Sequence, residues 1–112
     1  MVTDKPILWM GTARADLRAM PSDVRRALGI DLRRVQSGDL ARDWKPMATV
    51  GAGVVEIRVR VDGAYRLMYV AKFVEGIYVL HVFQKKTQKT SGLDIDLARA
   101  RLAALLRTRK EK

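Results

Sequence analysis

Apolar and polar side chains alternate most regularly between positions 55 and 61. The odd-numbered positions are apolar, Val55, Ile57, Val59 and Val61, and the even-numbered positions are charged, Glu56, Arg58 and Arg60. A period of two predicts a β-strand with one face against a core and one face toward polar surroundings. Asp62, Gly63 and Ala64 then predict a hairpin connection, because Gly63 can adopt a positive φ.

Two further strands are predicted after this hairpin. The second has two faces, Arg66, Met68 and Val70 on one and Tyr65, Leu67 and Tyr69 on the other. If the pairing follows the short turn, Arg58 and Arg66 project from one face of the sheet. The third strand, residues 77–83, follows Glu75 and Gly76 and is apolar on both faces. It is therefore predicted to be the central, most buried strand.

Two helices are predicted in the first half of the chain. Thr12 is a candidate N-cap for a helix over residues 13–20, which Pro21 ends. Ser22 is a candidate N-cap for the second helix, whose apolar face is Val24, Leu28, Leu32 and Val35. Gly29 lies inside this pattern and leaves a break possible, since glycine costs about 1 kcal/mol relative to alanine in a helix. A row of arginines occupies the solvent side, Arg25, Arg26, Arg33 and Arg34, and such a row is more typical of a solvated face than of a binding surface.

The remaining segments complete the predicted order. Residues 7–10 predict a short edge strand, and residues 37–53 predict a loop over the sheet edge with Trp44 folded back as an anchor. Asp94 is a candidate N-cap for a last helix with the apolar stripe Ile95, Ala98, Leu102 and Leu105. The order β-α-α-β-β-β-α predicts an α+β fold with a small antiparallel sheet, the N-terminal helices packed on it and a C-terminal helix. At 112 residues, we expect one domain over residues 1–112.

Composition narrows the class of partner. The net charge is +10, of which +7 lies from Val55 onward and +3 before it. Such an excess favours a polyanionic partner, nucleic acid first, with an anionic membrane surface as the alternative. The sequence has no cysteine, no secretory signal and no segment of membrane-spanning length, so we expect a cytoplasmic protein without a membrane partner.

The chemistry that the residues permit is limited. Without cysteine and with one histidine, the chain has no thiolate nucleophile and no His-based metal cluster, and no segment has the pattern of a phosphate-binding loop. We therefore expect no metal, cofactor or small-molecule ligand. What remains is a group of cations on or after the strands: Arg58, Arg60, Arg66, Lys85, Lys86 and Lys89. Such cations bind a phosphodiester and stabilise the charge of its transition state, and the 2′-hydroxyl of RNA supplies a nucleophile. Binding without cleavage is the alternative.

Three other residues have two interpretations. His81 lies in an apolar strand, so it is either a hydrogen-bonded structural histidine or a general acid or base. Tyr65 and Tyr69 are either core residues or stacking partners for a base.

Three blocks of sequence carry a family resemblance: VVEIRVRVDGAYRLMYVAKF, YVLHVFQKKTQKT and DIDLARARL. Together they resemble the phage-derived HigB-like branch of the RelE/ParE toxin superfamily. The resemblance implies the toxin of a type II toxin–antitoxin module, a ribosome-dependent endonuclease that cuts mRNA in the ribosomal A site. It also implies a cognate helix-turn-helix antitoxin of the HigA-like kind.

The resemblance also implies roles for individual residues. Arg66 matches the arginine that such toxins use on the scissile phosphate, Arg58 occupies the place of a catalytic basic residue, and Lys85 or Lys86 falls where another cation is expected. We assign Arg58, Arg66, Lys86 and His81 to catalysis, and Arg60, Lys85 and Lys89 to RNA binding. The chain departs from the pattern at Glu56, where relatives carry a basic group, and by having no tyrosine after Thr90. The general base is therefore open. The alternative functions are a ParE-like gyrase poison and a basic RNA-binding regulator.

Overall fold

The computed structural model describes residues 4–110. Its eight elements are β1 (Ile7–Trp9), α1 (Ala13–Arg18), α2 (Ser22–Gln36), β2 (Trp44–Pro46), β3 (Val54–Arg60), β4 (Ala64–Val70), β5 (Ile77–Lys85) and α3 (Gly92–Lys110). This is the predicted α+β fold with a C-terminal helix. In addition, it contains a short strand, β2, where a loop was expected.

The five strands form one mixed sheet in the order β1-β5-β4-β3-β2. β3, β4 and β5 pair antiparallel, as predicted; the additional strand β2 pairs antiparallel with β3, and β1 pairs parallel with β5. The expectation of an antiparallel sheet is wrong for β1, because two helices and three strands separate it from β5 in sequence, and so long a connection lets the two strands run in the same direction. The central strand is β4 rather than the predicted β5, since two strands lie on each side of β4.

Helices cover both faces of the sheet. α2 packs on one face, where Val24 and Leu28 contact a core that includes Ile57, Leu67 and Tyr69. Tyr65 belongs to the same core, so the core interpretation of both tyrosines is confirmed. Burial raises the pKa of Tyr69. α3 packs on the opposite face through a smaller cluster that includes Leu102, Leu105, Met68 and Leu80. None of the helices in residues 4–110 is long and apolar enough to cross a membrane.

Three predicted helix caps are corrected. Thr12 precedes α1, but its hydroxyl donates to Asp16 (2.7 Å) instead of accepting a backbone N–H. Pro21 occupies the N-cap position of α2, so Ser22 is already helical, and the helix continues through Gly29 to Gln36. At α3, the Ser91 hydroxyl accepts the backbone N–H of Asp94 (3.1 Å). Asp94 therefore lies within the first turn, where its carboxylate is free to contact other groups.

An irregularity in β5 decides which side chains meet α3. Met68 pairs with His81 and Tyr69 with Val79, so Leu80 is an extra residue, a β-bulge. As a result, two consecutive side chains contact the α3 layer: Leu80 packs in its cluster and His81 bonds to Asp94. Arg101 of α3 donates to the Leu80 carbonyl (2.9 Å) and to the Thr12 hydroxyl (2.9 Å), which joins the bulge, α3 and the start of α1.

The segment between α2 and β2 is held by a buried carboxylate. Asp31 of α2 is 1% exposed and accepts from Arg42 Nε (2.9 Å) and from the backbone N–H of Arg42 (3.3 Å). The carboxylate in turn raises the pKa of Arg42 through a hydrogen bond. The predicted anchor, Trp44, is 39% exposed and pairs with Ile57 at the sheet edge, so that expectation is wrong.

Arg42→Ala is expected to destabilise the protein by about 1–3 kcal/mol, because it leaves a buried carboxylate with only its backbone partner. The half-exposed guanidinium moderates this loss. Arg26→Ala is the matched control. Its pair with Asp23 is exposed and 4.0 Å long, and we expect a change within about 0.5 kcal/mol. Urea denaturation measures both, and equal effects would contradict a structural role for the Asp31–Arg42 pair.

Candidate active site

Strand register places the predicted cations in rows across one face of the sheet. Directly paired residues of antiparallel strands project to the same side. The first row contains Arg60, Ala64 and Lys85, the second Arg58, Arg66 and Phe83, and the third Lys45, Glu56, Met68 and His81. The prediction that Arg58 and Arg66 project from one face is confirmed by their direct pairing. Five cations from four strands therefore share this face.

The C-terminal helix covers only part of the face. Met68 and Leu80 pack against α3, and His81 bonds to its first turn. Phe83 of the second row belongs to the same apolar cluster, whereas the cations of the first two rows lie beyond it, beside the segment that leads from β5 to α3. The face is consequently apolar and closed at one end, and cationic and open at the other.

Two adjoining clefts lie over the open end. The larger, of about 490 Å³, is lined by Arg60, Ala64, Arg66, Lys85 and Lys86, together with Thr87 and Gln88. The smaller, of about 290 Å³, is lined by charged residues that include Lys45, Glu56, Arg58, Lys85 and Lys89. Lys85 and Gln88 line both. We call the two together the cationic cleft. Ala64 forms the floor of the cleft between Arg60 and Lys85, and its small side chain leaves room for a ligand.

Arg66 is the most buried cation of the cleft. It is 2% exposed, and its Nη1 donates to the backbone carbonyl of Tyr65 (3.0 Å). Its Nε lies 3.4 Å from Oε1 of Glu56, an ion pair without hydrogen-bond geometry. Burial lowers the pKa of Arg66, but a guanidinium remains protonated in any ordinary buffer. The side chain is thus a fixed positive charge at the wall of the larger cleft.

Glu56 is a buried carboxylate among these cations. It is 3% exposed, and among residues 4–110 its Oε2 has no hydrogen-bond partner. Burial raises the pKa of Glu56, and this effect exceeds the opposing attraction of the neighbouring cations, Arg66, Arg58, Lys85 and Lys45. Such a group gives up solvation without gaining full compensation, which is unusual for a purely structural carboxylate.

The lysines at and after the end of β5 differ in exposure. Lys85 is half-buried, and its pKa is lowered by burial and by the nearby charges of Arg66 and Arg58. Lys86 and Lys89 are exposed and line the larger and the smaller cleft, respectively. All three residues assigned to the exit of the last strand therefore meet at the cationic cleft.

His81 is separated from the cleft. Its Nε2 lies 2.7 Å from Oδ1 of Asp94, and its ring stacks on Phe83 with the centroids 4.6 Å apart. The ring is buried, and in the described part of the chain its Nδ1 has no hydrogen-bond partner. His81 is not among the residues that line either cleft. This placement favours the structural interpretation, and a catalytic role for His81 stays a prediction.

A separate cleft of about 390 Å³ beside α2 has different chemistry. Val35, Leu40, Val55 and Tyr69 line it, with Lys5 and Lys72. Both lysines donate to backbone carbonyls, Lys5 to Ala71 and Phe73 and Lys72 to Ala52. Its two lysines are therefore already bonded to the backbone of the fold.

Two site residues were not assigned from the sequence. Lys45 reaches the cleft because β2 pairs with β3 and places it opposite Glu56. A three-residue strand has too short a pattern to be predicted from period alone. Glu56 was noticed only as a departure from a basic position. Within residues 4–110, no three His, Asp or Glu side chains lie together as a potential metal site.

Comparison with known families identifies the family of this chain. Residues 15–103 match the family model of phage-derived Gp49-like proteins (DUF891), a family of RelE/HigB-like toxins. The chain belongs to this Gp49-like family. The family is associated with toxin–antitoxin modules, so an antitoxin is the general kind of partner to expect. No curated protein matches the chain.

Proposed function

We propose that this protein is the toxin of a type II toxin–antitoxin module and a metal-independent endonuclease that cleaves mRNA in the ribosomal A site. A HigA-like helix-turn-helix antitoxin would silence it. The observation that carries the proposal is the cationic cleft. Four cations from three adjacent strands surround it, a setting suited to binding a phosphate: Arg58, Arg60, Arg66 and Lys85. Membership in a toxin family supports the toxin part of the proposal.

The cleft is suited to a phosphodiester. Arg66 and Arg58 are directly paired on β4 and β3, so their guanidinium groups can contact one phosphate from two sides. Arg60, Lys86 and Lys89 are exposed around this position and would bind neighbouring phosphates of the strand. Since Arg66 is fixed by burial, little side-chain entropy is lost when the phosphate binds.

Cleavage would use the nucleophile of the substrate. The 2′-oxygen forms a bond to phosphorus while the bond from phosphorus to the 5′-oxygen breaks, which leaves a 2′,3′-cyclic phosphate and a 5′-hydroxyl end. Negative charge accumulates on the phosphoryl oxygens in the transition state. Arg66, assisted by Arg58 and Lys86, would stabilise this charge, and no metal is needed for the step.

The ribosome would contribute positioning. Arg25, Arg26 and Arg33 are exposed on α2 and form a basic surface away from the cleft. Contacts of this surface with ribosomal RNA would orient the cleft toward the A site, and they should weaken with increasing salt.

Blocking the cleft without changing charge tests the proposal. Ala64→Leu adds a larger side chain to the floor between Arg60 and Lys85. On induction in a bacterium, we expect the parent protein to arrest growth and to produce codon-phased 5′-hydroxyl ends in transcripts. Ala64→Leu should lose both effects, because the phosphate no longer fits. Ala103→Leu, an exposed position on α3, is the matched control and should behave as the parent.

Other outcomes would identify other functions. Growth arrest with DNA breaks and intact transcripts would replace the proposal by gyrase poisoning. Salt-sensitive RNA binding without new transcript ends would replace it by an RNA-binding regulator. If the Ala64→Leu protein cuts transcripts to the same extent as the Ala103→Leu protein, the cationic cleft is not where cleavage takes place.

A further inference from the structure

The proposed reaction requires a group that accepts the proton of the 2′-hydroxyl. The sequence left this base open, and His81 lies under α3, with Nε2 bonded to Asp94 and its ring against Phe83. Arginine cannot accept a proton at ordinary pH, because its guanidinium is already protonated. The base must therefore be found among the other residues of the cleft.

Glu56 is the carboxylate among the described residues that line the cationic cleft. It lies next to Arg66, with Oε1 3.4 Å from Arg66 Nε, and it lines the smaller cleft with Arg58 and Lys85. Its Oε2 is buried, and within residues 4–110 no group donates a hydrogen bond to it. An unpartnered, buried oxygen at the edge of a ligand-sized space is the geometry of a group that meets its partner only when substrate is bound.

The electrostatic surroundings favour proton transfer to this carboxylate. Burial raises its pKa, and a carboxylate with a raised pKa is a stronger base. The charged groups that face it come from every neighbouring element: Lys45 of β2, Arg58 of β3, Arg66 of β4, Lys85 of β5 and Lys89 of the following segment. A bound phosphodiester neutralises part of this positive charge, so substrate would raise the pKa of Glu56 further.

We propose that Glu56 accepts the proton of the attacking 2′-hydroxyl, a role that rests on the proposed endonuclease function. The proton moves from the 2′-hydroxyl to Oε2 of Glu56 while the 2′-oxygen bonds to phosphorus. The bond to the 5′-oxygen breaks, and that oxygen takes a proton from the ammonium group of Lys85, which lines the same cleft. Exchange with water then deprotonates Glu56 and reprotonates Lys85.

The competing interpretation is that Glu56 only holds Arg66 in place. Both interpretations predict a loss of activity in Glu56→Gln, so the rate alone does not separate them. They differ in pH dependence and in sensitivity to the leaving group. A base must be deprotonated to act, so the rate should rise with pH until Glu56 is fully ionised, and it should fall again where Lys85, the proton donor, loses its proton. A counterion for Arg66 has no such proton to exchange with the substrate.

The experiment measures single-turnover cleavage of ribosome-bound mRNA between pH 5 and pH 9. Glu56→Gln should cleave about 100- to 10,000-fold more slowly than the parent. Its residual rate should lack the acidic limb, which is the fall in rate toward low pH. Its affinity for mRNA should change less than about threefold. Glu56→Asp should recover part of the rate. Asp43→Asn is the control, because Asp43 also interacts electrostatically with Arg66 but does not line the cationic cleft.

A substrate with sulfur in place of the 5′-oxygen assigns the direction of proton transfer. A thiolate leaves without protonation, so this substrate should restore cleavage by Lys85→Ala but not by Glu56→Gln. If the parent cuts mRNA and Glu56→Gln is restored as well, or keeps its acidic limb, Glu56 is not the proton acceptor and the endonuclease proposal stands. If the parent cuts no mRNA, the proposed function fails first. Thermal denaturation verifies that each variant is folded, and Glu56→Asp carries the pH test if Glu56→Gln is not.

Discussion

Arg66→Ala is expected to lower the single-turnover rate of mRNA cleavage by about 100- to 1,000-fold, which corresponds to about 2.7–4 kcal/mol of transition-state stabilisation. The reason is that Arg66 is a fixed charge on the central strand. It is 2% exposed, its Nη1 is bonded to the Tyr65 carbonyl, and it is directly paired with Arg58. A fixed cation stabilises developing charge without first having to be ordered.

Two variants separate this effect from a loss of charge or of folding. Arg66→Lys keeps the charge but loses the planar group that can bond two phosphoryl oxygens, so its rate should lie between those of the parent and the alanine variant. Arg107→Ala removes an exposed arginine of α3 and should change the rate less than about twofold. Thermal denaturation belongs with each measurement, since Arg66→Ala leaves Glu56 without its nearest counterion. A folded Arg66→Ala protein that cleaves at the parental rate would place phosphate stabilisation elsewhere.

The facing pair of arginines could be predicted because the information is local. Alternation of period two assigns each side chain to a face, and a short hairpin then determines which residues are paired. The turn has the backbone that this requires, with positive φ at Asp62 (53°) and Gly63 (134°). From these features alone, Arg58 and Arg66 are placed side by side. Lys85 was predicted only to leave the next strand nearby; its direct pairing with Ala64 depends on a bulge between the turn and this residue.

The rest of the site depends on pairings that are distant in sequence. β2 has three residues and is a strand because it pairs with β3. The local sequence therefore could not assign Lys45 to the site. The bulge at Leu80 breaks the period of two within a strand whose residues are nearly all apolar, and nothing in such a strand marks the extra residue. It also places His81 on the face that α3 covers, rather than on the face of Ile77 and Val79 under α2. Asp31 was similarly missed, because a buried carboxylate in an apolar face is stable only with a partner, Arg42, from another segment.

Burial of Arg66 and Glu56 changes how the cleft is understood. The sequence predicts a face rich in exposed cations. In the cationic cleft, however, Arg66 is a buried cation and Glu56 a buried carboxylate, and more accessible lysines and arginines surround them. Binding of a strand of RNA can be assigned to the accessible set, and charge stabilisation to the buried one. This division gives separate expectations for affinity and for rate, which a uniformly basic surface would not.

The opposite face of β4 should determine stability rather than chemistry, and Leu67→Ala is expected to destabilise the protein by about 3–4 kcal/mol. Leu67 is 0% exposed and is paired between Ile57 and Val82 in the core under α2. Truncation removes apolar contacts and leaves a cavity at the centre of the sheet. For a domain of this size, we expect the melting temperature to fall by roughly 12–16 °C. Urea or thermal denaturation measures the loss.

Leu106→Ala provides the comparison for this prediction, because Leu106 is 44% exposed on α3 and should cost less than about 1 kcal/mol. Leu67 adjoins Arg66 in sequence but projects to the other face, so cleavage per folded molecule at 20 °C should stay within about threefold of the parent. If a folded Leu67→Ala protein loses cleavage as Arg66→Ala does, core packing under α2 controls the geometry of the arginine pair. If it loses less than about 1 kcal/mol, the core under α2 does not depend on this side chain.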